Sequence, residues 1–179
     1  MPPVLIICAT LVVLAVAIVM VLASRQPDSF EVRRSTVINA PPSRIFPLID
    51  DFHNWSHWSP WEALDPAMAR QFEGPEAGLG ATYGWDSKKA GAGKMVITEV
   101  RQDQLVLIDL GFTKPFKANN IARFELVPEG PNTAVTWSMT GKSPFISKVM
   151  GLMFSMDKMV GGDFEKGLAA LKNKAERIA

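Results

Sequence analysis

From Val4 to Ala23 the chain runs for twenty residues without a charge, built almost entirely of Val, Leu, Ile, Ala and Met. As a helix rising ~1.5 Å per residue, such a run spans about 30 Å, the thickness of a bilayer's hydrocarbon core. A cleaved signal peptide is the competing reading, and Ala23-Ser24 could mimic a cleavage site. Such peptides carry a positive n-region and an apolar stretch of only ~7–15 residues. Here Met1-Pro2-Pro3 bring no side-chain charge and the run is longer, which favours an uncleaved anchor. Arg25, Arg33 and Arg34 follow the segment and no basic side chain precedes it, which by the positive-inside rule favours a cytoplasmic domain. The chain therefore divides into 1–23 as a transmembrane anchor, 24–29 as a linker and 30–179 as one domain. Five extended residues, Arg25 to Ser29, reach at most ~18 Å, so the domain is expected against the lipid headgroups.

The domain has ~150 residues, enough to bury one good core. Nineteen basic residues balance eighteen acidic ones for a net charge of +1, which gives no electrostatic footprint for nucleic acid. Cys8, inside the apolar run, is the sole cysteine, so the domain has neither a disulfide framework nor a thiolate metal site.

Phe30 to Ile38 alternates apolar and polar residues as a half-buried strand does, and Ala40-Pro41-Pro42 ends it. Ser43 offers an N-cap for a short helix carrying Ile45, Phe46 and Ile49, limited by Pro47 to about a turn. Past the aromatic stretch Phe52 to Glu62, six short strands are expected: 68–73, 81–86, 95–101, 104–112, 120–127 and 133–140. Glycine-rich turns at 74–80 and 91–93, and turns at 102–103 and 128–132, favour antiparallel meander connections. Phe145, Val149, Leu152, Met156, Val160, Phe164, Leu168 and Leu171 then recur at three- and four-residue steps, predicting one amphipathic helix of roughly 30 residues. Gly151, Gly161, Gly162 and Gly167 each cost about 1 kcal/mol there relative to alanine, so close sheet approach or room for a ligand must offset them. The expected class is α+β: a curved antiparallel sheet of about seven strands around a long C-terminal helix, with a cavity between them.

Several segments resemble the START-like (SRPBCC) superfamily, in particular its bacterial polyketide cyclase/dehydrase-type members. They are Arg34-Ser35, Ile38-Asn39-Ala40-Pro41-Pro42 with Ile45-Phe46, Trp55-Ser56-His57-Trp58-Ser59-Pro60-Trp61-Glu62, Asp65-Pro66-Ala67-Met68, and the closing run from Met156 to Leu168. The resemblance covers Phe30 to the end and implies a helix-grip fold enclosing an apolar cavity. It leaves the chemistry open, because one fold hosts many functions.

Among the motifs, His53 and His57 are four apart and could reach a metal with Glu62, but no glutamate follows the first histidine, and structural roles suit them better. The glycine loops lack the Gly-Lys-Ser/Thr of a phosphate cradle. No metal and no cofactor is expected. Trp55, Trp58 and Trp61 read as a staple between helix and sheet, or as a pocket mouth. Trp61, Tyr83, Trp85, Trp137, Met139, Met153 and Met156 are the candidate ligand-lining residues, with Phe116 a candidate lid on the 113–116 connection. For catalysis only Tyr83 and Asp109 are candidates; Glu99, Asp109 and Arg123 fit equally well as cross-strand ion pairs on the solvent face. The leading expectation is a membrane-tethered module that binds or carries a hydrophobic small molecule or lipid. The alternatives are a cyclase or dehydrase acting on a polyketide-like substrate, and a non-catalytic interaction module at the membrane.

Overall fold

A computed structural model of the chain describes residues 3–152 and 154–177. Helix α1, Pro3–Ser24, is long and apolar enough to cross a membrane, and among its described side chains only Ala23 is buried. Seven strands follow: β1 Ser29–Ile38, β2 Ala69–Glu73, β3 Thr82–Ser87, β4 Gly91–Arg101, β5 Leu105–Lys114, β6 Ala118–Glu129 and β7 Asn132–Lys142. They form one sheet in the order β1-β7-β6-β5-β4-β3-β2, antiparallel throughout. Pairing of β1 with β7 sends the chain from β1 across the whole sheet to reach β2. That crossing carries helices α2 Pro42–Ile45 and α3 Pro47–Asp50 and a 3-10 segment Phe52–His57, which bury Ile45, Ile49, Phe52 and Trp55 in the core.

Local chemistry moves some boundaries from those expected. Ser43 does not cap α2, because Pro42 already starts the helix and Pro41 holds the N-cap position without a side-chain bond. Pro47 breaks the helix as expected and then opens α3, a first-turn position where its missing N–H costs nothing. The turn between β3 and β4 falls at Ser87–Ala90, where the Ser87 hydroxyl accepts from the Lys89 and Ala90 amides at 3.1 and 3.0 Å. The 91–93 glycines are therefore paired strand rather than turn.

The apolar stripe from Phe145 to Leu171 is not one helix. It divides into α4 Phe145–Gly151 and α5 Met156–Arg177. Ser155 starts α5 by capping it: its Oγ accepts from the Lys158 amide at 3.3 Å, and its carbonyl takes the Lys158 and Met159 amides. Helix α5 lies on β1 and buries Phe164, Leu168 and Leu171 against the sheet. Two of its glycines are explained by close approach. A Cβ at Gly161 would meet the Arg34 guanidinium, and one at Gly167 would come within 2.8 Å of the Trp137 ring and 3.1 Å of Pro60. Arg34 reaches from β1 to Asp157 and Glu165 of α5, each at 2.7 Å, and these two carboxylates raise its pKa further. Curved sheet and long helix together make a helix-grip fold.

Candidate functional site

Between the inner face of the sheet, the start of α5 and the tryptophan segment lies a cavity of about 270 Å³. That is roughly nine water molecules' share of liquid volume, at the lower edge of small-ligand sites. Strand alternation supplies its walls. Tyr83 and Trp85 point inward from β3, Met95 from β4, Leu110 and Phe112 from β5, Ala122 from β6, and Trp137 and Met139 from β7. Val160 and Phe164 close it from α5, and Trp61 enters from the loop after the 3-10 segment.

Aromatic rings frame this space. Trp137 stacks between Phe164, at 4.1 Å and 10°, and Phe124, at 4.8 Å and 27°, while Trp61 meets both Trp137 and Phe164 edge-on. Edge-to-face and offset stacks of this kind add to simple area burial. Trp55 and Trp58 act as the staple: their indole N–H groups donate to the carbonyls of Ile49 and Leu48 at 2.9 and 2.7 Å, locking the 3-10 segment onto α3. Trp137 differs, because among the described residues its buried Nε1 has no hydrogen-bond partner. A buried indole N–H without an acceptor is unusual and costly.

One polar cluster interrupts the apolar wall. Glu62, with its side chain 10% exposed, accepts the Tyr83 hydroxyl at 2.5 Å on one oxygen and Arg70 Nε at 2.8 Å on the other. Arg70 also donates to the Met68 carbonyl at 2.9 Å. Burial, reinforced by the hydrogen bond to Glu62 and its negative charge, pushes the Tyr83 phenol well above its ordinary value. The Glu62 hydrogen bond likewise raises Arg70. Tyr83 therefore stays a neutral phenol through the physiological range, able to donate or accept a hydrogen bond but unsuited to act as a base.

Of the residues singled out by sequence, Trp61, Tyr83, Trp85, Trp137 and Met139 lie together in the cavity wall. Met156 packs at the edge of the core without lining the cavity. Met153 lies outside the described residues. Phe116 does not cover the cavity: it projects into solvent from the β5–β6 tip, 78% exposed. Asp109 faces away, in a broad depression on the outer face of the sheet. Its register explains this, since Asp109 sits one residue out of phase with the inward Ile108 and Leu110. Glu99 and Arg123 do ion-pair, but along their own strands, with Arg101 at 3.0 Å and Glu125 at 2.6 Å. His53 stacks on Phe72 and bonds Asp51 through Nδ1 at 2.8 Å. Sequence patterning did not assign Met95, Leu110, Phe112, Ala122, Val160 and Phe164 to the wall, nor Glu62 with its partner Arg70.

Comparison with known proteins agrees with this architecture. A solved protein from Chromobacterium violaceum, CV1439, is 15% identical with a TM-score of 0.60 over 84% of this chain and 99% of its own. One from Thermobifida fusca is 22% identical with a TM-score of 0.60, covering 82% of this chain and 93% of its own. DynU16, a putative protein of the dynemicin biosynthetic locus, is 14% identical with a TM-score of 0.57, over 84% of this chain and 48% of its own. These likenesses show the fold. No curated protein matches. The family model for polyketide cyclase / dehydrase and lipid transport matches residues 29–176, the whole of the sheet and nearly all of α5. The chain belongs to the polyketide cyclase / dehydrase and lipid transport family.

Proposed function

We propose that this protein is a bilayer-tethered carrier or receptor for an uncharged, mainly apolar small molecule or lipid, held in the cavity beneath α5. The observation that carries the reading is an apolar cavity of about 270 Å³ kept open between sheet and helix and walled by aromatic rings. A ligand burying ~200 Å² of apolar surface there gains about 5 kcal/mol before the costs of association. An anionic ligand would find no free cation in this wall, because Arg70, the cation beside it, is already paired with Glu62. The membrane half of the reading draws on α1, and its cytoplasmic side on the arginines that follow it.

The test is extraction. Full-length protein is purified in detergent, washed, and its bound molecules are identified by mass spectrometry. A recurrent uncharged apolar species at near-stoichiometric amount is expected. A cavity that stays empty and takes up none of the neutral lipids offered would remove the proposal.

A second reading, a cyclase- or dehydrase-type enzyme, has one observation in its favour: the Tyr83 phenol and the Glu62 carboxylate both line the cavity. It requires turnover of the extracted molecule or a relative, abolished by Tyr83→Phe while binding persists.

A further inference from the structure

Sheet register places several features of this chain at one end of the molecule. Ser29, the first residue of β1, pairs with Lys142, the last of β7, and Asn120 pairs with Gly141. Phe112 pairs with Ala118, Ala92 with Lys114, and Ser87 with Gly91. The tips of the β3–β4 and β5–β6 hairpins, the end of β7 and the base of α1 therefore share one end of the sheet. Helix α4 is at that end too. It packs against α1, Lys148 binds Asp28 of the linker at 2.5 Å, and the Ser143 amide donates to the Asp28 carbonyl at 2.8 Å. These bonds fix the domain's orientation relative to the anchor, which a loose five-residue linker would leave free.

This end gathers several exposed apolar side chains, whereas exposed ones elsewhere, such as Leu79 and Val127, lie in other parts of the fold. Phe116 at the β5–β6 tip, Ile146 and Met150 on α4 and Phe154 beyond it are all exposed, Ile146 by 68%. Helix α4 buries no residue fully. Lysines ring these side chains: Lys88 and Lys89 at the β3–β4 tip, Lys117 at the β5–β6 tip and Lys142 at the end of β7. None of the four has an ion-pair partner among the described residues, although Lys114 and Lys148 beside them do. Exposed apolar side chains fringed by unpaired lysines match the boundary between acyl chains and anionic headgroups. The cavity lining runs to the same end, reaching Ala90 and Phe112 beside the two tips.

We propose that the hairpin tips and α4 form a second lipid contact, which seats the domain upright on an anionic bilayer surface with the near end of the cavity facing the membrane. The occupant is the bilayer in which α1 is anchored; the reading rests on α1 spanning that bilayer. Direct transfer between leaflet and cavity, without a passage through water, follows from this seating.

The test uses the full chain with Cys8→Ala, reconstituted in vesicles of phosphatidylcholine with phosphatidylglycerol. Single cysteines at Phe116→Cys, Ile146→Cys, Gln102→Cys and Val12→Cys carry an environment-sensitive fluorophore, and lipids with a quencher near the headgroup are added. Gln102 sits in the β4–β5 turn at the opposite end of the sheet and Val12 in the anchor. Labels at 116 and 146 should be quenched and that at 102 should not. Combined Lys88→Glu, Lys89→Glu and Lys117→Glu substitutions should lower the quenching at 116 at least about twofold. Labels at 116 and 146 no more quenched than that at 102, with the label at 12 reporting an inserted anchor, would overturn the proposal. So would quenching indifferent to the lysine substitutions. A label at 12 outside the lipid would overturn the membrane reading beneath it, whereas an empty cavity is read separately by extraction and leaves the docking result standing.

Discussion

Tyr83 is the only tyrosine in the chain, so a tyrosinate titration reads one side chain at the heart of the cavity. An ordinary tyrosine ionises near 10. Burial acts first to hold the Tyr83 proton, and the Glu62 carboxylate 2.5 Å away acts second, accepting the phenol's hydrogen bond and repelling a phenolate. A hydrogen bond to a charged partner contributes ~1.5–3 kcal/mol, and about 1.4 kcal/mol moves a midpoint by one pH unit, so the Glu62 bond alone raises Tyr83 by roughly one to two. Near-ultraviolet absorbance of the native protein should therefore show no tyrosinate at pH 10, while the urea-unfolded chain is half ionised there. Glu62→Gln should bring the native midpoint down by about one to two pH units yet leave it above 10, because burial persists. Stability tied to this group is fully present below pH 10 and is lost as pH rises through the raised native value. Coincident native and unfolded titrations would refute the reasoning, and so would a Glu62→Gln midpoint identical to that of the parent.

Three further outcomes are open to measurement. Burial and the neighbouring Asp51 push Asp50 up to about 6, so its contribution is complete below 3.8 and lost as pH rises through about 6; Asp50→Asn should raise the urea midpoint at pH 7.5 by ~1–2 kcal/mol in stability, with screening allowed for, and not at pH 3. On α5, Gly162→Ala meets open space and should stabilise by up to ~1 kcal/mol, whereas Gly167→Ala drives a Cβ into Trp137 and Pro60 and should cost ~1–3 kcal/mol in the same thermal melts. Ala122→Phe puts a ring into the cavity from β6; bound apolar molecules should disappear from the extracted protein while the melting temperature holds or rises, an outcome that an interaction module without a ligand would not produce.

Glu62, held by Arg70, is the charged interruption of an otherwise apolar cavity wall. Together they form a nearly buried ion pair, and such pairs contribute little net stability compared with a well-packed apolar substitute. The pair is better accounted for by what it does to the wall: it fixes the Tyr83 hydroxyl in one orientation.

What the sequence disclosed follows from which interactions are local. Strand parity is local, so Tyr83 and Trp85 were legible as one face of β3, and Val135, Trp137 and Met139 as one face of β7. The same parity, applied to Val106, Ile108, Leu110 and Phe112, puts Asp109 on the outer face. Helical spacing is local too, but it is blind to interruption: the three- and four-residue steps continue through positions 152–155, although Ser155 restarts the helix there. The placement of Phe116 is illegible for a related reason, since a hairpin's length says where its tip lies along the strands but not whether the sheet curls it over the cavity or leaves it in solvent. Glu62 belongs to a harder class. Its partners Arg70 and Tyr83 are eight and twenty-one positions away, on strands whose mutual register no spacing reveals, so its meaning comes only from the folded sheet. A carboxylate closing an aromatic run was the available hint, because a charge kept among rings must find a cation or a hydroxyl once those rings are buried.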